Sequence, residues 1–116
     1  MNTQPANPGA DWYEARKNSD DVRVLLMVIR TMKENGWELF RIWDGEEWNT
    51  DLTETDACKI CTNKICTNLD EYVVYFKKEN VEACVFMVNG QYPDTISDWS
   101  ISIDSIMSAL AELIDM

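Results

Sequence analysis

The chain has 116 residues, 10 Lys plus Arg against 21 Asp plus Glu, no His, and 46% hydrophobic side chains. That length supports one domain with one core, and the apolar share is that of a globular rather than a disordered chain. A net charge of −11 argues against tracking a nucleic-acid backbone or docking on anionic lipid, because both need clustered Lys and Arg. The charge is also uneven. Residues 1–41 hold six acids and six bases, whereas residues 42–116 hold fifteen acids and only four bases (Lys59, Lys64, Lys77 and Lys78). If those acids share a face, they produce a one-signed surface potential.

Residues 1–18 contain Pro5, Pro8 and Gly9 without periodicity and read as a flexible N-terminal arm, with 19–116 as a single domain. Trp12 and Tyr13 qualify that reading, since two adjacent aromatics are costly to leave in water. The start of the chain has neither the basic end nor the apolar run of a signal peptide, and Leu25-Leu26-Met27-Val28-Ile29 is too short to span a bilayer. The expectation is a cytoplasmic protein.

Ser19 is placed as the N-cap of a first helix, with Asp20 and Asp21 at the positive end of its dipole. Val22, Leu25, Leu26, Ile29 and Met32 recur at helical spacing, and Asn35-Gly36 supplies the stop. Residues 37–50 then alternate around Asp44-Gly45, which predicts a hairpin with a two-residue turn. That register sets Trp43 against Glu46, Ile42 against Glu47 and Arg41 against Trp48, with the Arg41 guanidinium stacked on the Trp48 ring. Thr53 and Asp56 predict a capping box that opens a short helix through Ala57, Ile60 and Cys61.

A pentamer repeats next: Lys59-Ile60-Cys61-Thr62-Asn63, then Lys64-Ile65-Cys66-Thr67-Asn68. Five residues rotate a helix by about 500°, so the copies cannot present the same face, and the repeat reads as an insertion at a helix end or in a loop. Residues 72–76 and 81–88 have strand composition and flank a polar connection, Lys77-Lys78-Glu79-Asn80. Residues 95–103 predict a last strand through the alternating Trp99, Ile101 and Ile103. Ser102 is placed as the cap of a closing helix striped by Ile103, Ile106, Met107, Leu110, Leu113 and Ile114.

Hairpins make a sheet antiparallel, and two amphipathic helices need one apolar face to cover. The predicted fold is α+β. It is a two-layer sandwich of a mainly antiparallel four- to five-stranded sheet, with the N- and C-terminal helices on one face and a short helix between the hairpins.

Catalysis finds little support. Without His there is no imidazole base for a serine or cysteine triad. Gly9, Gly36, Gly45 and Gly90 each stand alone, so no glycine loop cradles phosphate. Cys58-Lys59-Ile60-Cys61 is a C-x-x-C, but Cys66 and Cys84 lack the paired spacing of a zinc site; reduced cysteines acting as small hydrophobes are expected, with no metal and no cofactor. Asp44, Glu46, Glu47 and Asp51 cluster at a convex hairpin tip and lack the calcium-loop pattern.

Five tryptophans remain: Trp12, Trp37, Trp43, Trp48 and Trp99. Core packing is their ordinary use, and Trp37 and Trp99 are expected beneath the helices. Trp43 and Trp48 beside Arg41, ringed by Asp44, Glu46, Glu47 and Asp51, also have the composition of an interface anchor. The sequence therefore leads to a small acidic protein-binding module of no catalytic function. It would mask the basic, nucleic-acid-binding surface of a protein partner, as a nucleic-acid mimic, inhibitor or immunity-type protein does. The alternative is a self-associating structural protein, a homodimer.

Overall fold

The computed structural model describes residues 20–62, 71–89 and 94–115. The proposed arm, the Ser19 cap and the second pentamer copy lie outside them. The first helix, α1 (Asp20–Glu34), buries Val22, Val24, Leu25, Val28, Ile29 and Met32. It stops where Trp37 N–H donates to the Met32 carbonyl (2.9 Å) and Gly36 N–H to the Lys33 carbonyl (3.0 Å). This pairing needs a left-handed residue, supplied by Gly36 at φ +89°. Any Cβ there would also stand 3.2 Å from Cε of Lys78. The Lys78 ammonium donates to the Asn35 carbonyl at 3.1 Å, where a cation meets the negative end of the helix dipole.

The strands are β1 (Glu38–Trp43), β2 (Trp48–Thr50), β3 (Glu71–Lys78), β4 (Val81–Val88) and β5 (Ile96–Trp99). They form one antiparallel sheet in the order β2-β1-β3-β4-β5. The short helix α2 (Glu54–Ile60) joins β2 to β3, and α3 (Asp104–Asp115) closes the chain. The expected capping box opens α2: Asp56 N–H donates to the Thr53 hydroxyl (3.1 Å), and Thr53 N–H donates to the Asp56 carboxylate (3.0 Å).

All three helices contribute to a single core against one face of the sheet. That face presents Ile42 from β1, Tyr72, Val74 and Phe76 from β3, and Ala83, Val85 and Met87 from β4, all buried. Trp37 is buried with them, and Trp99 packs against their edge while its indole N–H donates to the Asp104 carboxylate at 2.8 Å.

Three details differ from the sequence expectation. Residues 95–103 do not continue as a strand: β5 ends at Trp99, and Ile101–Ile103 form a 3-10 turn. The turn follows because Ser100 is held by Cys84, its N–H donating to the Cys84 carbonyl while its hydroxyl accepts from Cys84 N–H. Ile101 is left 92% exposed, and the closing helix opens at Asp104 rather than after Ser102. Leu113, expected on the buried stripe, is 60% exposed because Leu110 and Ile114 fill the contact. Finally, β3 and β4 pair out to Lys78 and Val81, which leaves only Glu79 and Asn80 in the turn.

Candidate functional site: the open face of the sheet

Side chains alternate across a sheet, so the strands that build the core also fix what stands on the opposite face. The pairing register sorts that face into rows. Thr50, Arg41, Tyr75 and Cys84 form one row, and Trp48, Trp43, Val73, Phe86 and Asp98 form the next. Glu38, Lys77 and Glu82 lie beyond the first, and Glu71 and Val88 beyond the second. A bulge in β1 between Leu39 and Arg41 adds Phe40 to the group. No described helix covers these rows. Trp48, on the edge strand β2, is 43% exposed, and Phe86, on the interior strand β4, is 41% exposed, both large apolar side chains left open to solvent.

The aromatic residues are arranged around Arg41. Its guanidinium carbon lies 3.9 Å from the Trp48 ring centroid and 5.2 Å from those of Phe40 and Tyr75. Trp48 in turn contacts Trp43 and Tyr75, each at 5.2 Å between centroids. The Glu82 carboxylate accepts from Arg41 at 3.5 Å, while the buried Arg41 Nε has no hydrogen-bond partner. Ring faces and one carboxylate therefore hold this cation in place. Lys77 adds a second cation, 5.2 Å from the Phe40 centroid.

The expected Arg41–Trp48 stack is thus present, but the hairpin that makes it differs. Trp43 pairs with Trp48, Ile42 with Asn49 and Arg41 with Thr50, so the loop contains residues 44–47 instead of two residues. The reason is the Asp44 side chain. One of its oxygens accepts from Glu46 N–H and Glu47 N–H (both 2.9 Å), and the other accepts from the Asn49 amide (3.0 Å). Asp44 N–H closes the loop onto the Glu47 carbonyl at 3.2 Å. An aspartate offering this local hydrogen bonding competes with the tighter turn, which needs positive φ at both central positions. Only Gly45, at φ +100°, takes it. Arg41 now reaches Trp48 along the diagonal of the pair.

Of the seven residues singled out in the sequence, Arg41, Trp43 and Trp48 come together on the open face. Glu46 and Glu47 stand exposed at the tip beside them. Asp44 is buried inside the turn, and Asp51, exposed at φ +55°, shapes the exit from β2. Tyr75, Phe86, Phe40, Glu71, Glu82 and Asp98 were not singled out. For Tyr75 and Phe86 the signal was the presence of apolar residues in both alternating sets of β3 and β4, where a fully wet face would keep one set polar; Phe40, Glu71, Glu82 and Asp98 carried no such signal.

The described cysteines fall on opposite sides of the sheet. Cys58 and Cys61 are buried with the helices, where burial pushes the Cys58 thiol above its ordinary value and the Glu54 carboxylate adds to that shift. Cys84 stands on the open face, 3.5 Å from the Ser100 hydroxyl. Among the described residues, no group of three or more Cys, Asp or Glu side chains is placed to hold a metal ion.

The acids are distributed over both sides of the molecule. Glu38, Glu71, Glu82 and Asp98 belong to the open face, whereas Asp20, Glu54, Asp56 and Asp104 sit in the first turns of helices. Two of the latter-segment acids are neutralised by the front segment, Glu54 by Arg30 at 3.1 Å and Glu82 by Arg41. No described helix is long and apolar enough to cross a membrane. No family model, curated protein or solved structure matches the chain.

Proposed function

We propose that the protein is a non-catalytic binding module of the cytoplasm that occupies a basic surface of a protein partner, in the manner of an inhibitor or immunity-type protein, and that it docks through the open face of its sheet. The observation that carries this reading is that face itself, with Trp43, Trp48, Tyr75 and Phe86 grouped where no described helix covers them. Tyr, Trp and Arg dominate the energetics of protein interfaces because they bury much area for little lost freedom. A flat sheet with rings held by stacking is already ordered before the partner arrives, which lowers the cost of association.

Charge supports a basic partner. The rows carry four acids (Glu38, Glu71, Glu82 and Asp98) against Arg41 and Lys77, with Glu46 and Glu47 at the rim, on a chain of net charge −11. The face carries more acids than bases, so two copies meeting face to face repel on balance, whereas a basic surface meets complementary potential and is steered in faster.

The test is affinity capture from cell extract at low and high salt, comparing the wild-type chain with Trp48→Ala and Phe86→Ala. The reading expects basic proteins retained by the wild type at low salt, released by high salt and lost from both variants. Equal capture by the variants, or capture indifferent to salt, contradicts it.

A further inference from the structure

We infer that the recess between Trp43 and Phe86 is a subsite for one arginine side chain of the partner; this rests on the docking role proposed for the open face and names what that face recognises. Val73 pairs with Trp43 on one side and with Phe86 on the other. A short side chain between two large ones leaves a trough, and the opening there measures about 430 Å³, lined by Trp43, Gly45, Glu71, Val73 and Phe86. The two rings are rooted on strands about 10 Å apart, so a flat group laid midway over Val73 lies within about 6 Å of both, the range of a cation–ring attraction.

The acids beside this trough have no described cationic partner, and Arg41, two residues from Trp43 on the same strand, is held instead by the Trp48 ring and Glu82. Glu71 is two residues from Val73 on the same strand and face, and Asp98 stands directly opposite Phe86 on β5. Both are exposed, and no described Lys or Arg forms an ion pair with either. Gly45 at the lining adds no side chain that could fill the space.

The neighbouring row shows what such a setting holds. There Arg41 lies against the rings of Trp48, Tyr75 and Phe40 with the Glu82 carboxylate beside it. The Trp43–Phe86 trough repeats the ingredients, two rings and a carboxylate at hand, without a cation of its own. Arginine fits better than lysine, because a planar and weakly hydrated guanidinium stacks on rings and still presents paired N–H groups to a carboxylate.

The experiment is an NMR titration of the full-length ¹⁵N-labelled chain with acetyl-Gly-Arg-Gly-amide, and with the same peptide carrying lysine or citrulline. Saturable shifts are expected at the Trp43 indole N–H and at the amides of Glu71, Val73 and Phe86. The citrulline peptide, of the same shape but uncharged, binds at least about tenfold more weakly, and Glu71→Gln weakens the arginine peptide by about tenfold, the loss of one charge-assisted pairing. Equal binding of citrulline, shifts centred elsewhere, or no effect of Glu71→Gln in a variant with an otherwise native spectrum overturns the subsite. Glu71→Gln in the capture experiment separates the two proposals. If basic partners are lost on Trp48→Ala and Phe86→Ala but retained on Glu71→Gln, the arginine subsite falls and the docking role stands. Retention by all three variants removes the docking role, and the subsite with it.

Discussion

The two faces of the sheet are made by the same strands and both carry large apolar side chains, yet they have different fates. On β3 and β4 the inward set is Tyr72, Val74, Phe76, Ala83, Val85 and Met87, all buried. The outward set mixes Val73, Tyr75, Cys84, Phe86 and Val88 with the charged Glu71, Lys77 and Glu82. Its members are half-buried or exposed. The described helices cover one side and leave the other without a helix over it. Hydrophobicity in a strand thus marks where something must pack, without saying whether the chain itself supplies it.

Substitution separates the two faces most sharply. Phe76→Ala empties a fully buried position and is expected to cost about 3–5 kcal/mol in urea denaturation. Phe86→Ala, on the same ladder but 41% exposed, is expected to cost about 1 kcal/mol or less while abolishing partner capture. A Phe86→Ala loss as large as that of Phe76→Ala would erase the distinction. Asp44→Ala comes next, at about 1–2 kcal/mol, because it strips the acceptor from Glu46 N–H, Glu47 N–H and the Asn49 amide. It also weakens capture, since β2 and Trp48 lose their fixed position. Thr53→Ala removes the cap of α2 on the covered side and costs about 1 kcal/mol with capture unchanged.

Smaller effects sharpen the comparison further. A double-mutant cycle on Arg41 and Trp48 should give a coupling of about 0.5–1 kcal/mol, read from stability without any partner present. Zero coupling would mean that the stack does not order the face. The smallest effect is a pH dependence at the cap of α2. The Asp56 carboxyl is held below its ordinary value of 3.8, first by the Thr53 backbone N–H and then by the Thr53 hydroxyl. A depressed carboxyl stabilises the fold above its unfolded pKa, and that contribution disappears as pH falls through the lower folded value. Thermal melts below pH 4 should therefore show a shallower acid slope for Asp56→Asn than for the wild type.

How far the sequence reaches follows the same division. The α+β class, α1 with its acidic start and Gly36 stop, the capping box of α2 and the strands β3 and β4 were all legible, because each is set by local chemistry at fixed spacing. The hairpin register was not. Asp44-Gly45 favours two different turns, and the choice depends on Asn49 reaching back to the Asp44 carboxylate, a contact outside the window of any dipeptide rule. The end of β5 was missed for a related reason, since Ser100 is tied to Cys84, sixteen residues away. At the candidate site, Arg41, Trp43 and Trp48 were legible as neighbours on one hairpin. Phe86, Glu71 and Asp98 join them only through the order β2-β1-β3-β4-β5, which no single hairpin reveals. The acids confirm the point from the other side: their run in the sequence disperses between helix ends and the open face once the chain folds.

Covalent surface footprinting of the full chain, alone and with a captured basic partner, tests the central claim most directly. The account predicts that labelling of Trp48 and Phe86 falls on complex formation while that of Ile101 and Leu113, exposed on the 3-10 turn and α3, stays constant. Protection of Ile101 and Leu113 with undiminished labelling of Trp48 and Phe86 would contradict it.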